Sequence, residues 1–382
     1  MATLHTAPEP KSRLGYPRLL SPSCGLRVSP LCLGTMNFGE AWKESMGECD
    51  KETSFKILDF FVENGGNFVD TANFYQETES ESWLGEWMAQ RNNRDDMVVA
   101  TKYTGFYKPD AKIRYNYQGN QKKSMTVSLE SSLKRLQTSY VDIFYIHFWD
   151  FSTPIEEAMH GLHNLVTAGR VLYLGISDTP AWVVSSANRY AREKGLTPFS
   201  IYQGKWNAAE RDFEREIIPM VQHEGMALAP WGAMGQGKFK AEAWDEARKE
   251  AGRDMFAAPP KYKAVFEALD RVGKRKGTGA INIALSYVMH KAPYVFPIIG
   301  GRKISHLKSN IDALNIELSP SDLEEIDDAA DFEHGFPAEL IFGFHGKQKI
   351  KLGMSAKDAP LVQVASHLEE PQKVKPIGSL GK

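Results

Sequence analysis

The chain has 382 residues, 42% hydrophobic and 25% charged, with a formal net charge of −2. This balance is ordinary for a globular protein, and without a block of like charge it disfavours nucleic acid or an anionic membrane surface as partner. Cys24, Cys32 and Cys49 lack CxxC spacing, which argues against a disulfide framework or a zinc site; no apolar run reaches the ~18 residues of a membrane span and no signal-peptide core opens the chain, so a cytoplasmic protein is expected.

Short apolar runs alternate with segments of helical period. SPLCLGTM reads as a strand and is followed by DKETSFKILDFFVENGG, a helix with an Asp cap and a Gly stop. NFVDTA and MVVATK are strands, then SMTVSLESSLKRLQTS a helix. VDIFYIHF, VLYLGIS and FSIYQGKW are strands separated by the helices TPIEEAMHGLHNLVTAGR and TPAWVVSSANRYAREKG. FEREIIPMVQHEG precedes the strand MALAPWG, and VFPIIGG precedes the helix ISHLKSNIDALNI. The strands are apolar throughout, as in parallel sheets covered on both faces. Eight such units predict an α/β fold, a (β/α)8 TIM barrel with long loops at its C-terminal face and a C-terminal tail. An open doubly wound sheet is the rival. It calls for a G-x-G-x-x-G turn after an early strand, a spacing that Gly34 and Gly39 do not have. Two long stretches, 103–123 and 232–260, follow strand C-termini, where barrel enzymes keep their sites. The expected organisation is an N-terminal extension over 1–24, the barrel over 25–342 and a tail over 343–382 packing on it.

Four polar residues sit at or just past the ends of consecutive strands: Asp70, Tyr75, Lys102 and His147. A phenol is a sluggish acid at neutral pH, with a free pKa of ~10. A neighbouring ammonium lowers that value, and a carboxylate keeps the ammonium charged. Tyr75 is then the general acid, Lys102 its activator, Asp70 the partner of Lys102, and His147 the group that orients a carbonyl oxygen. Taken singly, Asp70 could be a turn cap, Lys102 a solvated charge and His147 a core histidine, while Tyr75 alone says almost nothing. Their joint placement carries the reading.

At these residues the chain resembles the aldo-keto reductases, over roughly residues 25 to 330. DTANFY matches that family's Asp–x4–Tyr pattern, ATK supplies the lysine and YIHFWD the histidine. The resemblance implies NADP(H) as cofactor. Ser177 and Asp178 in GISD, with Gln203 in YQGKW, would hold the nicotinamide amide. The segment ALAPWGAMGQGKF, through Leu228, Ala229, Pro230, Trp231, Gly232, Gly237 and Lys238, would line the nicotinamide and close over the pyrophosphate. PIIGGRKISHLKSN, through Gly300, Gly301, Arg302, His306 and Asn310, would hold the 2′-phosphate; Arg302 offers a bidentate cation and the helix near Ser305 its N-terminus. Thr35, Met36 and Asp70 are further implied cofactor contacts. GISDTPAW, PIIGGRKISHLK and HLEEPQKVKPI are similar to the fungal aryl-alcohol dehydrogenase and norsolorinic acid reductase-like branch. Membership implies reduction of aryl aldehydes or ketones, or oxidation of aryl alcohols, in fungal polyketide secondary metabolism.

The chain departs from the family pattern at several points. Asp178 replaces an Asn and can accept but not donate, Leu228 replaces a stacking aromatic, and His306 and Ser309 stand where other branches have Gln or Arg and Glu, which predicts a looser clasp on the adenine. The substrate pocket is expected around Tyr75, His147 and Trp149, with Met36, Trp42, Phe106 and Trp206 as weaker candidates. His160 and His163, three apart on a helix, read as a helix face, and no metal is expected. A nucleotide-sensing regulatory subunit on the same barrel, or another barrel enzyme such as a metal-dependent hydrolase, are the competing readings.

Overall fold

The computed structural model describes residues 6–239, 259–343 and 355–368. Its centre is a parallel eight-stranded sheet: β3 (Cys32–Gly34), β4 (Phe68–Asp70), β5 (Val98–Tyr103), β6 (Val141–Ile146), β7 (Val171–Ser177), β8 (Phe199–Lys205), β9 (Ala227–Trp231) and β10 (Ile298–Ile299). The strands run in chain order with β10 beside β3. Closure between β9 and β10 comes through the segment just before β10. Leu228 N–H donates to Tyr294 O (2.9 Å), and Phe296 N–H donates to Leu228 O (2.8 Å). All eight strands expected from sequence are present, and the fold is a (β/α)8 barrel.

The helices form where their caps and periods place them. Asp50 accepts from Thr53 N–H and opens the helix Lys51–Glu63. Helices at Lys122–Arg135, Ile155–Thr167, Ala181–Lys194, Ile217–Glu224 and Ile304–Asp312 fall on the expected segments. Among the described residues, four further helices of eight residues or more were not anticipated, Glu79–Arg91, Pro260–Lys276, Ala280–Lys291 and Pro320–Asp327, nor were the short Lys43–Met46 and Ala338–Phe342. Glu79–Arg91 is interrupted by serines and glutamates and shows little amphipathic contrast, so its pattern was weak.

Successive strand residues alternate between two cores. Leu33, Val69, Val99, Phe144, Ile146, Leu174, Ile176, Tyr202 and Leu228 face outward against the helices. Cys32, Phe68, Val98, Ala100, Ile143, Tyr145, Ile201, Ala227 and Ala229 fill the barrel interior. An antiparallel hairpin, β1 (Arg18–Ser21) and β2 (Cys24–Val28), puts Leu20, Cys24 and Val28 into that interior core. Ser23 Oγ donates to Gly225 O, two residues ahead of β9, so the hairpin seals the N-terminal end. At the opposite, C-terminal end the barrel opens into a cavity. Of the 232–260 stretch, residues 240–258 lie outside the described residues, as do 344–354 and 369–382 of the tail. Among the described residues, no helix is long and apolar enough to cross a membrane.

Candidate active site

The inward-facing positions are apolar deep in the barrel and polar at its mouth. One inward step beyond Phe68 is Asp70; beyond Ala100, Lys102; beyond Ile201, Gln203; beyond Tyr145, His147. The same alternation that builds the core thereby gathers these side chains from separate strands.

Lys102 is fully buried and Asp70 nearly so. The lysine Nζ donates to Asp70 Oδ2 (2.6 Å), Thr71 O (2.7 Å) and Tyr75 Oη (3.3 Å). An ammonium has three protons, and these three acceptors use them. Asp70 Oδ1 accepts from Gln203 Nε2 (2.9 Å), so both carboxylate oxygens are engaged. Because Tyr75 Oη accepts from Lys102, the phenolic proton is left to point away from the lysine. Burial works against the Lys102 charge, but Asp70 and Tyr75 outweigh it and the pKa is raised from 10.5. Tyr75 differs from the sequence expectation. Lys102 does pull its pKa down, yet burial is the larger effect and, with Asp70 and Asp178 adding to it, the pKa is raised from 10.0. The phenol is a firmly protonated donor.

His147 begins the turn after β6, its N–H donating to Tyr103 O (3.1 Å). Burial, and secondarily Lys102, hold its pKa well below 6.5, so the imidazole is neutral. Its Nδ1 is buried without a hydrogen-bond partner among the described residues. The ring lies edge-on to Tyr75 (5.8 Å between centroids) and near Phe74 (5.3 Å). Tyr75, His147, Asp70 and Gln203 line one cavity of about 710 Å³, whose apolar wall includes Met36, Trp42, Phe74 and Trp231.

The same cavity runs over the expected cofactor segments. Asp178, Gly232, Gly237, Gly300, His306 and Asn310 line it, as do Ser305 and Ser309. Ser177 lies just beneath with its hydroxyl buried, in no bond of ordinary geometry among the described residues, though close enough to Asp178 to favour that carboxylate's charge. Asp178 adopts the left-handed region (φ 40°), accepts weakly from Trp231 Nε1 (3.4 Å) and faces the open mouth. Burial pushes its pKa up to about 6, against the pull of Trp231 and Lys102. Water reaches the carboxylate even though protein surrounds its base, so this shift carries little weight for stability.

Other sequence-picked residues lie elsewhere. Leu228 faces outward and is 1% exposed; β9 alternation instead turns Trp231 into the cavity, where its ring is available to a flat ligand. Ala229 belongs to the interior core and Pro230 is buried, so neither lines the cavity. Thr35 is buried, with its hydroxyl donating to Asp70 O (3.2 Å). Lys238 places its Nζ over the Tyr262 ring (4.9 Å), outside the cavity lining. Gly301 gives its carbonyl to Asn37 Nδ2 (2.8 Å), and Arg302 lies against Gly47; neither Gly301 nor Arg302 lines the cavity.

Trp149 is only 8% exposed and packs into the outer core; Trp206 stacks on Phe213, and Phe106 faces Arg114. The chain has left β6 by Trp149, and the next residue is pinned. Asp150 Oδ2 accepts from Asn120 N–H (2.7 Å), and Asp150 N–H donates to Asn120 Oδ1 (2.8 Å). His160 bonds Tyr190 Oη and His163 bonds Thr197 Oγ1, both as helix-surface contacts. Among the described residues, no cluster of three or more His, Cys, Asp or Glu is placed to hold a metal ion.

Sequence reasoning missed three contributors. Phe74 walls the cavity. Gln76, buried beside Tyr75, takes a left-handed φ of 51°; its Nε2 donates to Met36 O (2.9 Å) and its Oε1 accepts from Trp42 N–H (2.7 Å). The reciprocal Asn120–Asp150 pair ties the 103–123 stretch to the end of β6, and Asn120 Nδ2 also reaches Thr104 Oγ1 (2.8 Å). A polar side chain immediately after DTANFY was the available signal for Gln76. Nothing local marks the Asn120 pairing, since its partner is thirty residues away.

Comparison with known proteins agrees with this geometry. Residues 30–331 match the model of the Aldo/keto reductase family. The chain is 53% identical over 379 residues to "Norsolorinic acid reductase A" of Aspergillus parasiticus, covering 99% of this chain and 97% of the relative. It is 51% identical over 352 residues to "Aryl-alcohol dehydrogenase [NADP(+)]" of Phanerodontia chrysosporium, covering 88% and 91%. It is 55% identical over 330 residues to "Norsolorinic acid reductase B" of Dothistroma septosporum, covering 85% and 84%. With a family match over most of its length, a (β/α)8 barrel and a polar mouth at the strand ends, the chain belongs to the aldo/keto reductase family.

Proposed function

We propose that the protein is an NADPH-dependent reductase of aryl aldehydes or ketones, which also oxidises aryl alcohols, with Tyr75 as the proton donor. The observation that carries this reading is the three-way hydrogen bonding of Lys102, which leaves the Tyr75 proton available to the cavity. The buried Ser177 hydroxyl, in no bond of ordinary geometry among the described residues, supports a ligand with an amide at that point, and the Gln203 amide oxygen remains for it because Nε2 is held by Asp70. Trp231 offers a face to a flat ring, while the backbone at Gly237 and Gly300 permits close approach of phosphates. Arg302 is the cation for a 2′-phosphate, which favours NADP over NAD.

Bound NADPH supplies the hydride. The protein's own residues do the rest. His147, neutral, donates a ring N–H to the carbonyl oxygen and fixes its orientation. Tyr75 delivers its proton to the same oxygen as negative charge develops. Lys102 stabilises the resulting phenolate, and Asp70 keeps the lysine charged while Gln203 steadies Asp70. Phe74, Trp42, Met36 and Trp231 form an apolar wall that suits an aromatic substrate and excludes water. A regulatory subunit needs a nucleotide site but not this proton donor set, so the assembled quartet favours an enzyme. The test is NADPH oxidation across aryl aldehydes, aryl ketones of polyketide type and aliphatic aldehydes. Turnover is expected with the aryl members; turnover confined to aliphatic ones rejects the aryl assignment.

Asp178 gives this reading a pH signature. Near it lie Lys102, Tyr75 and Tyr202, with Ser177 and Trp231 in hydrogen-bond range. Above pH of about 6 it is a carboxylate beside the nicotinamide position and stabilises the cationic, oxidised ring. Asp178→Asn should therefore lower NADP+ affinity relative to NADPH by about fivefold well above that pH, equivalent to roughly 1 kcal/mol across a solvent-screened gap. Well below it, where the acid is protonated, the variant should match wild type. Fluorescence titration of both cofactor forms across this range is the measurement.

A further inference from the structure

The loop between β3 and the helix Lys51–Glu63 touches both ends of the cavity. At one end Asn37 Nδ2 donates to Gly301 O (2.8 Å), next to Arg302. Gly47 adopts a φ of 80° and ends the short helix Lys43–Met46, its N–H bonded to Lys43 O (2.9 Å). The Arg302 guanidinium occupies the place a Cβ would take there, so that Cβ would overlap Nη1 and Cζ. At the other end the loop carries Met36 and Trp42 into the cavity wall. The Trp42 ring stands edge-on to Tyr75 (6.4 Å). Gln76 grips the backbone at Met36 and Trp42, and Glu79 Oε2 accepts from Glu40 N–H (2.7 Å) and Ala41 N–H (3.1 Å). A bridge between Gly39 and Cys49 closes the base of the loop. The loop is therefore one tied unit, with the arginine at its far end and a substrate wall at its near end.

We propose that Gly47 is the seat of Arg302 and that loop 36–49 couples cofactor phosphate binding to the position of the Trp42 wall. This rests on the proposed assignment of Arg302 to the 2′-phosphate. The backbone at residue 47 calls for glycine (φ 80°), and a Cβ there would push the guanidinium, the mobile end of a long side chain, off its seat. A phosphate that draws Arg302 inward loads the loop through Gly47 and Asn37, and the loop carries Trp42. NADH lacks the phosphate and leaves the loop as it is.

The test uses the full chain with Gly47→Ala, Arg302→Ala, the double variant and Asn37→Leu. NADPH and NADH dissociation constants are measured by titration, and hydrogen exchange is followed over residues 36–49. In wild type NADPH should slow exchange of the loop amides and NADH should not. Gly47→Ala should weaken NADPH roughly tenfold, the scale of a displaced charge-assisted hydrogen bond, and leave NADH unchanged. Unchanged NADH affinity also shows that the variant is folded. The effect of Gly47→Ala should vanish in the Arg302→Ala background, and Asn37→Leu should reduce NADPH protection of the loop. If Arg302→Ala leaves the NADPH-to-NADH ratio intact, the phosphate assignment falls and the coupling with it. If Arg302→Ala collapses that ratio while Gly47→Ala and Asn37→Leu leave it and the loop protection untouched, the coupling alone is overturned.

Discussion

Tyr75→Phe should lower kcat for carbonyl reduction by about 10²–10⁴-fold, the range supplied by a positioned general acid. Cofactor affinity and unfolding midpoint should stay near wild type. The substitution removes one oxygen from a ring already packed against Phe74, Trp42 and His147, and Lys102 keeps Asp70 and Thr71 as acceptors. The pH dependence separates this loss from a misplaced ring. Reduction needs the phenol protonated, and burial raises its pKa from 10.0. Wild-type reduction should therefore run flat through neutral pH with respect to Tyr75, and decline only in the alkaline range as the phenol ionises. Alcohol oxidation needs the phenolate and should climb over that same range. In Tyr75→Phe both alkaline limbs should disappear. Steady-state profiles in the two directions check this, and a variant that keeps wild-type kcat removes Tyr75 from the proton transfer.

The barrel and the quartet were legible in the sequence for one physical reason. A strand covered on both faces is apolar along its length, so a polar residue at or just past its end stands out, as Asp70, Lys102 and His147 do; Tyr75, five residues beyond Asp70, stood out only beside them. The hairpin β1–β2 was not legible because RLLS and CGLRV are short and carry little alternation; their burial comes from plugging a barrel that forms only when all strands close. Leu228 and Trp231 show the cost of reading position from motif rather than from parity. Counting by twos from the buried Ala227 turns Ala229 and Trp231 inward and leaves Leu228 outside. Asn120, Gln76 and Gly47 act through partners distant in sequence, so their roles are properties of the assembled mouth.

Lys102→Met should separate what the buried ion pair does for catalysis from what it does for folding. The wild-type pair is almost completely removed from water, at 2.6 Å. Removing the lysine leaves Asp70 with Gln203 as its hydrogen-bond partner, and breaking one side of a buried pair costs about 3–5 kcal/mol. The Lys102 pKa is raised from 10.5, so the stability it contributes is fully present below its unfolded value and lost only as pH rises through the folded one. The destabilisation should thus be fully visible at neutral pH in urea unfolding. Lys102→Met combined with Asp70→Asn removes both charges, and a buried pair replaced by neutral groups of similar volume is often no less stable. The double variant should recover most of the lost stability. It should not recover activity, because without the ammonium nothing offsets the charge left on Tyr75 after proton transfer, and kcat should remain down by about 10² or more. If the double variant regains both stability and turnover, the pair is only a structural brace; if it regains stability alone, the electrostatic support of Tyr75 is the reason a charge is kept at the heart of the barrel mouth.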